Sequence, residues 1–236
     1  MDAIVEELQE ELTCATTIKI PFLEKIPLIG SDGIAESIVV TWILMAVLIL
    51  FAFIMTRNLK VHNISKRQAV IELIVTKITG MVEGMVGEDG KRYVTYLATV
   101  LIYVVIANIC GIFGFKSPTK DLNVTIALAV MSIILIEYAG IHRKGVGKWL
   151  HSFIEPVPII APINVLELFI RPLSLCMRLF GNILGAFVIM ELLKLVVPIF
   201  VPAVFSLYFD FFDGAIQAYV FVFLTSLFIK EATEIE

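Results

Sequence analysis

Charge is scarce in this chain. Only 17% of its 236 residues are Asp, Glu, Lys or Arg, against about 25% in a soluble domain. Net charge is −4, and no basic patch is present to grip phosphates, which excludes a nucleic-acid module. Cysteine is scarce too. Cys14, Cys110 and Cys176 lie far apart, with no CxxC pair and no disulfide framework. His62, His142 and His151 sit in or beside polar loops, and no HExxH motif or His/Cys cluster offers a metal site, so no cofactor is expected. The start, MDAIVEELQEEL, is acidic where a secretory signal would be basic and then apolar, so none is read. What is abundant is apolar surface. Hydrophobic residues make up 59%, and mean hydropathy is +0.95. One soluble core cannot hide that much, so the expected solvent is lipid.

Three segments suit an upright crossing, which needs about 20 apolar residues for a core of about 30 Å. They are 37–56, 93–115 and 122–141, and only the last contains a charge, Glu137. Residues 64–86 differ. Ile71, Ile74, Ile78, Met81, Val82 and Met85 recur at helical spacing, with Gln68, Glu72, Thr76, Thr79 and Glu83 opposite. Such an amphipathic helix lies at a surface or against a partner. Residues 1–36 read as an acidic segment outside the membrane, and 37–236 as one membrane domain. The loop from Arg57 to Arg92 and the loop carrying Arg143, Lys144 and Lys148 are the basic ones, so both belong in the cytoplasm. The N-terminus is then outside and the C-terminus cytoplasmic.

The last third resists upright placement. From Ile163 to Val197 the helical pattern would run about 52 Å at about 1.5 Å per residue. Pro198 and Pro202 break it, and a second long apolar helix follows. The expectation is an all-α integral membrane fold. Three upright helices and an amphipathic surface helix precede a C-terminal hairpin of two long, steeply tilted helices, about 162–197 and 203–231. No internal repeat relates the halves, which argues against many transporter folds.

Charges in that hairpin are costly, about 2.5–3.5 kcal/mol each at mid-membrane on insertion scales. Glu167 with Arg171, and Glu191 with Lys194, have the spacing of self-neutralising pairs. Arg178 has no acid nearby in sequence; its neighbours four residues away are Ser174 and Asn182. Arginine cannot shed its proton, so its counter-charge must be distant or on another chain. Gly181 and Gly185 on the same face let another helix approach closely. A hairpin turn near residue 200 would set Gln217 opposite Asn182 and Ile183, and Asp210 opposite Glu191. In an α-helix Asp210, Asp213 and Gln217 would share one face. Two close carboxylates would repel and favour proton exchange.

Several runs resemble subunit a of the F-type ATP synthases. They are PINVLELFIRPLSLCMRLFGN from Pro162 to Asn182, GAIQAYVF from Gly214, ANICGIFGF from Ala107 and SPTKDLNVT from Ser117. The resemblance implies an ion-translocating stator subunit with no chemistry on ATP. Its tilted hairpin would wrap a ring of c subunits, each with one ion-binding carboxylate reached through two aqueous half-channels. It implies that Arg178 is the essential arginine between them, with Asn182 and Gln217 as polar neighbours. Glu167, Asn108 and Thr119 match positions near the outer half-channel. The amphipathic helix would meet the b subunits of the peripheral stalk. The setting would be an energy-transducing membrane, taken as a bacterial plasma membrane. Where many relatives carry an acid five residues after the asparagine, this chain has Phe187, so Asp210, Asp213 and Glu191 are expected to serve the inner half-channel. The alternative is a stand-alone secondary transporter that uses Arg178 to bind an anionic substrate.

Overall fold

The computed structural model describes residues 17–18, 34–57, 59–60, 65–88, 90–113, 117–152, 161–196, 205 and 207–234; the side chains of Glu191, Lys194 and Asp210 fall outside the description. A two-residue antiparallel ladder, β1 (Thr17–Ile18) with β2 (Ile34–Ala35), leads into helix. The rest is helical: α1 (Glu36–Thr56), α2 (Lys66–Val86), α3 (Val94–Ile109), α4 (Leu122–Lys144), α5 (Val146–Ser152), α6 (Ala161–Val196) and α7 (Gly214–Thr233). Among the described residues, five helical stretches are long and apolar enough to cross a membrane. They contain α1, α3, α4, most of α6 and α7, whereas α2 is not among them.

Local chemistry sets the ends. Ser65 caps α2 by accepting from the Gln68 amide, and Asp121 caps α4 by accepting from the Asn123 amide. Gly87 and Gly145 follow α2 and α4 at φ of 78° and 81°, where a side chain would be strained. The second crossing is shorter as α-helix than expected, because the chain tightens to 3₁₀ turns at Lys91–Tyr93 and Cys110–Phe113. Pro172 lies inside α6, yet the helix runs on through it.

The core lies among α3, α4, α6 and α7. Val104, Ala107, Ile136, Ala139, Leu175, Leu179, Ala218 and Val222 are all buried there. α2 adds Val82 and Val86 from its C-terminal half. Its N-terminal half departs from the expected stripe. Gln68 is buried, because the chain folds back over it: its amide accepts from the Lys60 N–H at 3.0 Å and donates to the Lys60 carbonyl at 2.9 Å. α1 is exposed along most of its apolar length, including Trp42, Ile49 and Phe53, as a helix facing lipid must be.

Contacts fix how the helices run. Asn182 meets Gln217 and Arg171 meets Glu231, so α6 and α7 are antiparallel, as the expected register has them. The turn residues 197–204, Pro198 and Pro202 included, lie outside the described residues. Gly140 of α4 packs against Ala232, and the Arg92 guanidinium contacts His142 Nε2 at 2.7 Å. One end of the bundle therefore gathers the start of α3, the close of α4, the early part of α6 and the close of α7. The other end gathers the start of α1, the close of α3, the turn at 117–121 and the start of α7.

Candidate functional site: an open arginine between two polar clusters

α6 has two faces at helical spacing. Leu175, Cys176 and Leu179 are buried, and Cys176 Sγ lies 3.5 Å from the Thr125 hydroxyl of α4. Ser174, Arg178, Gly181 and Asn182 occupy the other face and are exposed. No hydrogen bond or ion pair engages Arg178 among the described residues. Exposed Leu173 and Met177 flank it. A Cβ built on Gly181 or Gly185 would meet nothing within 4 Å, so this face stands open for close approach.

One turn beyond Arg178, the Asn182 amide donates to Gln217 Oε1 at 2.7 Å. Gln217 is only 4% exposed, and its Nε2 finds no partner among the described residues. A buried amide donor left unmatched is costly. It is thus a standing donor beside the arginine face.

At the start of α7 the polar groups interlock. Asn108 Nδ2 donates to the Gly214 carbonyl at 2.8 Å, and its Oδ1 accepts from the Thr119 hydroxyl at 2.7 Å. The Ser117 hydroxyl donates to the Ala107 carbonyl at 2.8 Å and lies 2.7 Å from that of Thr119. Gly214 is required for this approach, since a Cβ there would stand 2.8 Å from Asn108 Cβ. Beside the cluster, Asp121 is buried and accepts from the Ser37 hydroxyl and the Asn123 amide. Just before Gly214 the chain winds as a π-helix, Leu207–Asp213. Its bonds run i→i+5, so three residues sweep less of a turn than in an α-helix.

At the far end, Arg171 NH2 donates to Glu167 at 2.9 Å and to Glu231 at 2.7 Å, with its guanidinium over the Phe228 ring. From Gly214 to Glu231 the helix climbs about 25 Å at about 1.5 Å per residue. The structure therefore separates Glu167 from Asn108 and Thr119, with which it was grouped. It sets Asp213 directly beside their partner Gly214, at the end opposite Glu167. Asp213, one residue before Gly214, thus lies at the end where α4 begins.

Sequence reading passed over Asp121, Ser37 and Gly214 as site residues. An acid before an apolar helical run is a cap signal that could have found Asp121, but nothing local pairs it with Ser37, far off in sequence.

The family description ATP synthase A chain matches residues 38–230, which include the arginine face, the Asn108–Thr119 cluster and the Glu167–Arg171 pair. The chain belongs to this family. Its relatives include ATP synthase subunit a of Moorella thermoacetica, 35% identical over 85% of this chain and 92% of that protein. ATP synthase subunit a 2 of a Bradyrhizobium species is 35% identical over 86% and 91%. Subunit a 2 of Acaryochloris marina is 30% identical over 88% and 89%. The chain is thus a multi-pass subunit of an energy-transducing membrane, part of an ATP synthase complex and not an ATP-hydrolysing enzyme itself. A stand-alone transporter is not favoured.

Proposed function

We propose that this subunit is the ion-translocating stator of a rotary ATP synthase, with Arg178 as the barrier between two half-channels. The observation that carries the reading is the Arg178 guanidinium, unpaired among the described residues, on an open, small-residue face of α6 beside the donor-bearing Asn182–Gln217 pair. An ion-carrying carboxylate of the c-ring, passing that face within the membrane, would favour its neutral form on desolvation. A fixed positive charge reverses the preference, so the carboxylate releases its ion there. The same charge opposes a direct cation leak.

The two polar clusters are assigned as the ends of the two paths. With the basic loops placed in the cytoplasm, the Asn108–Thr119 end faces outward and the Glu167–Arg171–Glu231 end inward. Asn108, Thr119 and Asp213, with Asp210, then serve the outer half-channel, and Glu167 and Glu231 stand at the mouth of the inner one. Glu191 goes with the outer end by its position late in α6. The hairpin lies steeply tilted against the c-ring, and the exposed side of α2, with Leu73 and Ile74, meets the b subunits of the peripheral stalk. The coupling ion, H⁺ or Na⁺, is set largely by the c-subunit carboxylate.

The test is Arg178→Ala in the complete complex, reconstituted in vesicles. Gradient-driven ATP synthesis is expected to vanish while the subunit still assembles with the c-ring. Arg178→Lys is expected to be severely impaired, because lysine deprotonates when desolvated and lacks the planar fork. Robust synthesis by the assembled alanine variant would remove the reading.

A further inference from the structure

Lys120 occupies a singular place. Thr119, before it, is fully buried and donates to Asn108; Asp121, after it, is buried and bonded to Ser37 and Asn123. The backbone between two such anchors is held, so the lysine stem starts from a fixed point. Its ammonium reaches across to α6 and rests 4.9 Å from the centroid of the Phe187 ring. That is within the range in which a ring face holds a cation. Phe187 is five residues beyond Asn182, on the way from the arginine face to the hairpin turn. The seat matters because a ring attracts an ammonium without neutralising it. A carboxylate there would cancel the charge. Among the described carboxylates of this end, Asp121 is buried and engaged, and Asp213 is half-buried on another element.

We infer that Lys120 is an electrostatic gate of the outer half-channel, whose positive charge, seated on the Phe187 ring, weakens entry of the coupling cation. This rests on the reading that the Asn108–Thr119 end is the mouth of the outer path. The ammonium is solvent-exposed, so its influence on a cation several ångströms away is that of charges in water, about threefold in apparent affinity per unit charge. Screening shortens it further, because the Debye length is about 10 Å at 0.1 M salt and about 3 Å at 1 M.

The experiment uses the whole complex in vesicles, with ATP synthesis followed against the concentration of the driving cation on the outer side. The variants are Lys120→Arg, Lys120→Gln and Lys120→Glu. Arginine is expected to keep the wild-type half-saturating concentration. Glutamine is expected to lower it about threefold and glutamate about ninefold at low ionic strength, two steps of the same Coulomb factor. Maximal rate should hold, and the differences should shrink toward nothing in 1 M of an inert salt. A merely structural seat would give neither the charge order nor its loss in salt. Equal half-saturation across the series overturns the inference, as does a shift in arginine as large as in glutamate. If the charge order appears only against the cation on the opposite side, Lys120 does not guard the outer path and the inference again falls. Failure of the stator reading itself is seen separately, as normal synthesis by Arg178→Ala.

Discussion

Gly214 is where a single hydrogen atom decides packing. Alanine there would push its Cβ into Asn108, and overpacking of that kind costs about 1–3 kcal/mol. We expect Gly214→Ala to lower the thermal midpoint of the subunit in detergent, with Gly181→Ala neutral in the isolated chain because its Cβ meets open space. Thr119→Val should also destabilise, by about 1–3 kcal/mol, since it strips the donor from buried Asn108 Oδ1. Thr119→Ser keeps the hydroxyl and should stay near wild type in the same melt. Arg171 makes a finer case. One nitrogen, NH2, serves both Glu167 and Glu231, so a single lysine ammonium can replace it. Arg171→Lys is expected to synthesise ATP at close to the wild-type rate. A loss as deep as that of Arg178→Lys would show that the guanidinium plane over Phe228 is what matters. At this scale the sequence was legible where partners lie near a hairpin register, as with Asn182 and Gln217. It was silent on Ser37 with Asp121, because a cap residue does not announce a distant second partner.

Helices were legible for the reason that lipid demands them: with no water to satisfy backbone groups, an apolar run of this length has few other choices. The spans 37–56 and 122–141 reappear within α1 and α4, and α2 lies within 64–86. What periodicity could not convey is a change of winding. The π segment Leu207–Asp213 looks α-helical by composition, so its winding is not legible in the sequence. Element geometry now places Asp213 with Asn108. Asp213→Asn is therefore expected to slow synthesis when the outer cation is limiting and to be relieved by raising that cation. If relief came instead from changing the inner side, the assignment of ends would be reversed. Gln68 carries the same lesson for α2. Its place on a polar stripe predicted solvent, but a neighbouring loop supplied two backbone partners and buried it.

Taken whole, the molecule is a bundle with a polar cluster at each end and, on an open face between them, a positive charge unshared among the described residues. The orientation proposed for it rests on the lysine and arginine count, which predicts a tag before Ile38 reachable from outside and a tag after Glu236 reachable from the cytoplasm. Both tags on one side would contradict that orientation. The family and the membrane class were legible from motifs and composition together. The pairing of ends was not, because it depends on which helices run together, and that is settled by contacts such as Gly140 with Ala232. The most direct measurement addresses the two paths at once. Single cysteines are placed at Asp213 and at Glu167, in a complex whose native cysteines are serine, and each is exposed to a small membrane-impermeant thiol reagent from one side of oriented vesicles. The account predicts labelling of the Asp213 position from outside only and of the Glu167 position from the cytoplasmic side only, with no crossing past Arg178. Labelling of both from the same side would contradict it.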